Sequence, residues 1–280
     1  MDERDSPVTI PGLQRLKRHG RKIVAAVAWD YQIAQIVDRA GVDIVSVGDT
    51  VGVNLWGHSN PLEITMDEMM VVCKAVRRGV KRALLSCDLP FGPLQEGPDS
   101  AVRAAVRFVK EAAVDMVKLD GAAEFPESVR AVVRAGIPVF AQFGITPQTA
   151  LQHGISYSSA SSRTAQATAE MTTKMVEQAK RLQDAGASLL DFTNSGSTVG
   201  PAVVSAVSIP VLGGFGGGPW LDGRIRMVHG AIGYAASNLD SAAENYANVA
   251  KIAFDVISAY ADDVRGARQI KGATPAKPAR

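Results

Sequence analysis

A chain of 280 residues that is 46% hydrophobic can bury one large core, and a formal net charge of only +2 leaves no overall field to draw nucleic acid. No run of about 18 apolar residues is present, so no membrane span is expected. The opening stretch, Met1 to Pro7, lacks the apolar core of a signal peptide, and two cysteines are too few for a disulfide or zinc framework. Cys73 and Cys87 are therefore expected as core residues of a cytoplasmic protein.

Residues 1–20 are polar and basic and form an N-terminal segment with a short helix near 13–18. A first strand is expected at 22–28, followed by a helix that Asp30 caps and Gly41 stops. Ile44-Val45-Ser46-Val47 is the second strand; Gly48 turns the chain and presents Asp49 and Thr50 just past its end. The connection at 53–61, which contains His58, is long for such a joint, and long loops often carry function. Thr65 and Glu68 make a capping box for a helix reaching Arg78. The third strand ends at Asp88, and Asp99 caps the helix after it. A fourth strand delivers Lys118 and Asp120, and Pro126 opens the next helix. The fifth strand, 139–142, ends at Gln142. A serine-rich connection at 156–162 and a long helix at 164–185 lead to the sixth strand, 189–193, which ends at Thr193. After a short helix at 201–207, a seventh strand at 210–212 empties into a glycine loop at 213–218. Residues 222–229 read as a helix, 231–235 as a weak last strand and 241–263 as a closing helix. The end, rich in Pro, Lys and Ala, reads as a disordered tail over 265–280.

Eight strand–helix alternations with short joints predict an α/β fold, a parallel sheet closed into a (β/α)8 barrel over residues 21–264. The same helix-stop joint recurs at Arg39–Gly41, Arg134–Gly136 and Asp184–Gly186. An open doubly wound sheet is the competing architecture. Its dinucleotide-binding version is disfavoured because no G-x-G-x-x-G follows the first strand.

In a parallel barrel all strand ends open on one face, where the active site lies. That face would collect Asp49, Thr50, Asp88, Lys118, Asp120, Gln142, Thr193, Asn194 and the glycine loop. Carboxylates from three separate strands suit a hard cation, and Mg²⁺ is satisfied by a few of them plus water and substrate oxygens. Asp49, Asp88 and Asp120 are the candidate ligands. Lys118 lies two residues from Asp120 and hence on the same side of its strand, where it would neutralise a substrate carboxylate or a developing oxyanion. Gly213, Gly214 and Gly216 would let backbone amides approach a phosphate or a planar ring of a cofactor, although a plain flexible loop reads the same. Loop histidines such as His58, His153 and His229 are more often solvated or capping than catalytic. The cluster Lys74, Arg77, Arg78, Lys81 and Arg82 reads as a solvated helix end.

Six stretches taken together resemble ketopantoate hydroxymethyltransferases: Val47-Gly48-Asp49-Thr50, Gly57-His58, Ala75-Val76-Arg77-Arg78-Gly79, Asp88-Leu89-Pro90-Phe91, Met116-Val117-Lys118-Leu119-Asp120-Gly121 and Gly144-Ile145-Thr146-Pro147-Gln148. The likeness runs in order from about Thr9 to Tyr260. It implies a TIM barrel of the phosphoenolpyruvate mutase/isocitrate lyase type and transfer of a one-carbon unit from methylenetetrahydrofolate to a branched 2-oxo acid. It also implies Mg²⁺ and a homo-oligomer, typically a decamer. By position, Asp49 and Asp88 match the family's metal-binding aspartates, and Asp120 stands where the family has a glutamate near the metal. Thr50 replaces a serine that contacts the substrate carboxylate, Asp88 also lies against the substrate, and Lys118 matches the substrate-binding lysine.

Two departures stand out. The family's histidine is Gln142 here, and its catalytic glutamate falls on Thr193, or on Asn194 if the register slips by one. The cation-binding half of the chemistry is thus expected and the base is not. His58 or a metal-bound water would have to serve, or the substrate would generate its own enolate by decarboxylation or C–C cleavage. Hydroxymethyl transfer is the leading expectation. A lyase or aldolase of the same barrel group and a non-catalytic 2-oxo-acid-binding homologue are the alternatives.

Overall fold

The computed structural model describes residues 6–156, 167–241 and 245–272, arranged as two compact units, 1–226 and 227–280. In the first unit, helix α1 (Ile10–Arg18) starts at Thr9, whose hydroxyl accepts the Gly12 N–H. Its Leu13 is fully buried, and Lys17 Nζ ties it to the Ile209 carbonyl at 2.9 Å and to Asp222 at 2.9 Å. These partners precede the last two strands, so α1 closes the amino-terminal end of the sheet.

Strand β1 (Ile23–Val27) leads through α2 (Tyr31–Arg39) to β2 (Ile44–Val47). Asp30 caps α2 by accepting the Ile33 N–H at 2.8 Å, as its position suggests. The predicted loop at 53–61 is in part helical, with α3 (Val51–Asn54) and a 3₁₀ turn at Pro61–Glu63. Helix α4 (Met66–Gly79) opens with the complete Thr65/Glu68 capping box. The joint to β3 (Leu84–Asp88) is fixed by buried Asp38, whose carboxylate accepts the N–H groups of Lys81, Arg82 and Ala83 at 2.8–3.1 Å. A negative group taking that many donors needs no cation of its own.

Helix α5 (Pro98–Ala112) is preceded by Gly97, and Asp99 lies inside its first turn rather than capping it. Then come β4 (Met116–Leu119), α6 (Pro126–Arg134), which begins at Pro126, and β5 (Val139–Gly144). The predicted serine-rich connection lies almost wholly outside the described residues. Of the predicted long helix, the described part is α7 (Thr172–Asp184), which follows a 3₁₀ turn at Ala169–Met171. Strand β6 (Leu189–Thr193), α8 (Gly196–Ala206) and β7 (Val211–Leu212) follow. Helix α8 is longer than expected because Pro201 sits inside it without ending it.

Strand β8 (Gly223–Met227) replaces the helix expected at 222–229. Its signal was an alternation of period two: Gly223 and Ile225 are buried, Arg224 and Arg226 exposed. Gly223 is required there, since a Cβ would stand 2.2 Å from the Ile23 carbonyl oxygen of β1. No strand forms at 231–235; α9 (Val228–Ala231) and a turn occupy that stretch. Helix α10 (Val249–Arg265) begins later than predicted, capped by Asn248, which accepts the Lys251 N–H at 2.9 Å.

The eight strands lie in the order β7-β6-β5-β4-β3-β2-β1-β8, and the pairs from β1–β2 to β6–β7 are parallel. Across the remaining seam, Asp222 N–H donates to Val211 O at 2.9 Å and Ile225 N–H to Gly213 O at 3.3 Å, so the sheet nearly closes into a (β/α)8 barrel. Phe140, Leu85, Met116 and Leu119 are fully buried strand residues, and Phe143 and Phe192 stack with ring centroids 4.6 Å apart. No helix among the described residues is long and apolar enough to cross a membrane.

Candidate active site

Three neighbouring strands carry a buried charged cluster at their carboxyl ends. Asp49 and Thr50 follow β2, Asp88 ends β3, and β4 contributes Lys118 and then Asp120. Asp88 and Lys118 are partners in the β3–β4 register, which brings Lys118 Nζ to 3.2 Å from Asp88 Oδ2. A Cβ placed on Gly48 would meet Thr50 Oγ1 at 3.1 Å and Asp88 Oδ2 at 3.7 Å, so Asp88 lies against the turn that presents Asp49. Gln148, from the loop after β5, joins the other two acids. Its side-chain amide donates to Asp49 Oδ2 at 3.0 Å and its backbone N–H to Asp120 Oδ2 at 3.1 Å.

Two features went unassigned in the sequence. Asp191, inside β6, is buried, and its Oδ2 lies 3.3 Å from Lys118 Nζ on the side away from β3. The signal was Thr193: residues two apart on a strand share a face, so Asp191 had to point where Thr193 points. Gln148 belongs to the Gly144–Gln148 motif, and the motif alone assigns it no role. Gln142 and Thr193 do come together, the Gln142 amide donating to Thr193 Oγ1 at 2.9 Å. His58 lies 3.5 Å from Glu68 of the capping box, and no ion pair joins it to the cluster among the described residues. The side chain of His153 lies outside the described set, and His229 is buried in α9 of the second unit.

Beyond Thr193 the backbone is constrained. Asn194 takes a left-handed φ of +56°, with its side-chain amide donating to the Ile145 carbonyl at 2.8 Å. Its own N–H donates to Phe215 O at 2.7 Å, which fastens the glycine loop to the end of β6. Arg224 donates to Gly214 O at 3.0 Å. Gly213, Gly214 and Gly216 therefore border the strand end that carries Thr193.

The electrostatics favour a cation. Burial, aided by repulsion from Asp120, raises Asp49 from 3.8 to about 6, against the pull of Gln148 and Lys118. Burial raises Asp88 to about 7 despite Lys118, with Asp49 and Asp191 adding to the rise. Burial also raises Asp120 to about 6, opposed by Thr146, Lys118 and the Gln148 N–H. For Lys118 burial works against its charge, but Asp88, Asp191, Asp49 and Asp120 outweigh it and hold the ammonium well above its ordinary range. Asp88 Oδ1 and Asp120 Oδ1 are buried without a hydrogen-bond partner. One ammonium thus faces four carboxylates, and oxygen atoms are left over. Among the described residues no group of three or more His, Cys, Asp or Glu side chains is placed to hold a metal ion by itself. This donor set suits Mg²⁺, which takes one or two carboxylates and fills its other positions with water and substrate oxygens.

A model of the family described as ketopantoate hydroxymethyltransferase matches residues 7–269. The chain belongs to that family. The 3-methyl-2-oxobutanoate hydroxymethyltransferase of Cyanothece sp. is 38% identical over 261 residues, 92% of this chain and 96% of the relative. That of Gloeobacter violaceus is 36% identical over 259 residues, with 92% and 96% covered. The family is one of transferase enzymes. Among solved structures, a phosphoenolpyruvate phosphomutase from Streptomyces platensis subsp. rosaceus superposes with a TM-score of 0.59 at 13% identity, covering 92% of this chain and 88% of that one. A phosphonopyruvate hydrolase in complex with oxalate and Mg²⁺ gives 0.58 at 12%, covering 96% and 92%. A 2,3-dimethylmalate lyase of the phosphoenolpyruvate mutase/isocitrate lyase superfamily gives 0.57 at 14%, covering 92% and 87%. At such identities the likeness is one of fold: the chain shares its (β/α)8 barrel with a solved member of the phosphoenolpyruvate mutase/isocitrate lyase superfamily.

Proposed function

We propose that this protein transfers a hydroxymethyl unit to a small branched 2-oxo acid, 3-methyl-2-oxobutanoate, in a Mg²⁺-dependent reaction with methylenetetrahydrofolate as the one-carbon donor. The observation that carries it is the convergence of Asp49, Asp88 and Asp120 near Lys118, with carboxylates whose proton affinity burial raises although the ammonium lowers it. Asp49 and Asp88 would hold the ion, with Asp120 beside them. When bound, Mg²⁺ supplies Lewis-acid polarisation of the 2-oxo acid.

The chain's own residues supply the rest. Lys118, fixed between two carboxylates, meets the negative charge of the substrate in a site where little water weakens the interaction. The Thr50 hydroxyl and the Gln142 amide stand ready as hydrogen-bond donors, and Gln148 orients Asp49 and Asp120. Gly213, Gly214 and Gly216 offer backbone amides to the donor molecule. Assembly is as a homo-oligomer: α10 exposes Ile252, Phe254, Ile257 and Tyr260, more apolar surface than an isolated helix leaves in water.

A second reading, a lyase or aldolase acting on a 2-oxo-hydroxy acid, is favoured by the neutral Gln142–Thr193 pair, where neither side chain accepts a proton at neutral pH. Both readings require metal-dependent enolisation. The C3 proton of 3-methyl-2-oxobutanoate should exchange in deuterated water with Mg²⁺ and stop exchanging with a chelator, as followed by NMR. Absence of exchange with every member of a 2-oxo acid panel would exclude both. Folate-dependent product formation then separates transfer from cleavage.

A further inference from the structure

Enolisation needs a group that takes the proton, and the structure holds one that no role has yet claimed. Asp191 is buried on the inward face of β6, with Oδ2 3.3 Å from Lys118 Nζ and Oδ1 without any hydrogen-bond partner. It lies two residues deeper in the barrel than Thr193, about 6–7 Å along the strand. Its register partners are Gln142 on β5 and Leu212 on β7. An amide and an apolar side chain flank it, and either suits a branched alkyl group better than a second carboxylate would.

Other candidates are already engaged or chemically unsuited. Thr193 accepts from Gln142, and both are neutral. His58 faces Glu68. Asp49 and Asp120 are tied to Gln148, and Asp88 is a proposed ligand of the ion. The Cys87 thiol is buried, and burial pushes its proton affinity up, which makes it a poor acceptor.

We infer that Asp191 is the catalytic base, its Oδ1 removing the proton from C3 of the 2-oxo acid. This rests on the enolising reaction proposed above. The C3–H bond breaks, its electron pair forms the C2–C3 double bond, the carbonyl pair moves onto the keto oxygen, and the proton stays on Oδ1. Water releases the one-carbon unit from the donor at the aldehyde level: both of the donor's C–N bonds break, and its two nitrogens take up the two hydrogens of water. The C2–C3 pair attacks that carbon as the C2 carbonyl re-forms, the aldehyde's carbonyl pair moves onto its oxygen, and the proton held on Oδ1 passes to that alkoxide to complete the hydroxymethyl group. Lys118 makes the step feasible in a buried site. While Asp191 is ionised the ammonium balances it, and once Asp191 is neutral the ammonium keeps Asp88 at 3.2 Å as its counter-charge. The barrel thus never holds an unpaired charge on Lys118.

The test compares wild type with Asp191→Asn and Asp191→Ala, using 3-methyl-2-oxobutanoate, Mg²⁺ and deuterated water. C3 exchange is read by NMR and binding of the acid by calorimetry. Asp191→Asn should lower the exchange rate by about 10²–10⁴-fold, the usual contribution of a positioned base, while the acid still binds, because Lys118 keeps its charge and gains freedom to meet the substrate carboxylate once its pair with Asp191 is gone. Added formate should restore part of the exchange in Asp191→Ala, because a small carboxylate fills the space left, and this arm stands even if the asparagine variant folds poorly. Exchange that survives in Asp191→Asn near the wild-type rate overturns the assignment, as does loss in Asp191→Ala that formate leaves untouched. A wild-type protein that exchanges no 2-oxo acid removes the enolising reaction itself, a different result from exchange that ignores residue 191.

Discussion

The two sides of the strand-end face are built from different chemistry. Strands β2, β3 and β4 carry Asp49, Asp88, Lys118 and Asp120, a cluster rich in charge and short of cations. Strands β5 and β6 answer with Gln142 and Thr193, which bond to each other, and a single carboxylate, Asp191, which reaches back to Lys118. The first side is suited to hold an ion and the anionic end of a substrate. The second must shape the rest of the substrate and move a proton with much less charge at its disposal. Lys118 pairs with a carboxylate on each side, so changes on either should be felt through it.

The comparison breaks most severely at Asp88. Asp88→Asn removes a proposed ion ligand and one of the two close ion-pair partners of Lys118. Metal-dependent C3 exchange should fall by at least about 10²-fold, of the size seen when a positioned electrostatic group is removed, and calorimetry should show the Mg²⁺ response weakened or lost. An enzyme that exchanges and binds Mg²⁺ as the wild type does would separate the charged cluster from any ion.

Next is the ligands' support. Gln148→Ala frees both Asp49 and Asp120 from their hydrogen bonds while leaving every carboxylate in place. Outer residues that orient ligands commonly contribute about 10–100-fold to metal affinity, so Mg²⁺ binding should weaken by that order. The fold should lose little, because the loop remains otherwise bonded. Unchanged Mg²⁺ affinity would mean that Gln148 merely closes the loop.

The charged side also sets a pH dependence. Asp49, Asp88 and Asp120 hold their protons to about 6, 7 and 6 when folded, against 3.8 for the free group. Between pH 4 and 7 the folded chain therefore binds more protons than the unfolded one, and stability falls as pH rises. Without Mg²⁺ the melting temperature should drop across that window by more than about 2–4 °C, equivalent to about 1 kcal/mol for a domain near this size. Mg²⁺ binds the ionised carboxylates and should restore most of the loss at pH 7 and little at pH 4. Melting curves with and without chelator check it, and a chelator-independent profile would mean the cluster is balanced without an ion.

Much of the charged side was legible because each of its strands ends on its chemistry. Apolar runs that stop at Asp49, Asp88 and Asp120 announce a carboxylate at the mouth of a parallel barrel, and capping signals such as Asp30 and Thr65 with Glu68 fix the helices between them. The other side was harder to read. Asp191 sits within an apolar run, and its meaning depends on Lys118, which lies 73 residues earlier (191 − 118) and meets it only once the sheet has formed. Gln148 acts from a loop whose path no local pattern encodes. Strand β8 reads as a helix in the sequence because Asp222 resembles a cap and two arginines hide the alternation, and its place is decided by the close approach of Gly223 to Ile23.

The smallest expected effect sharpens the comparison further. Thr193 sits where a proton acceptor would be sought at the end of β6, yet its hydroxyl only accepts from Gln142 at 2.9 Å. Thr193→Val keeps the shape and leaves the Gln142 amide one partner short, which should reduce stability by about 1–3 kcal/mol. If Asp191 carries the proton, C3 exchange in this variant should stay within about fivefold of wild type, because a lost neutral hydrogen bond in the wall contributes far less than a positioned base. A fall of a hundredfold or more would move the proton chemistry up to residue 193. The neutral side would then act through a hydroxyl that Gln142 orients, with Asp191 reduced to a counter-charge that keeps Lys118 in place.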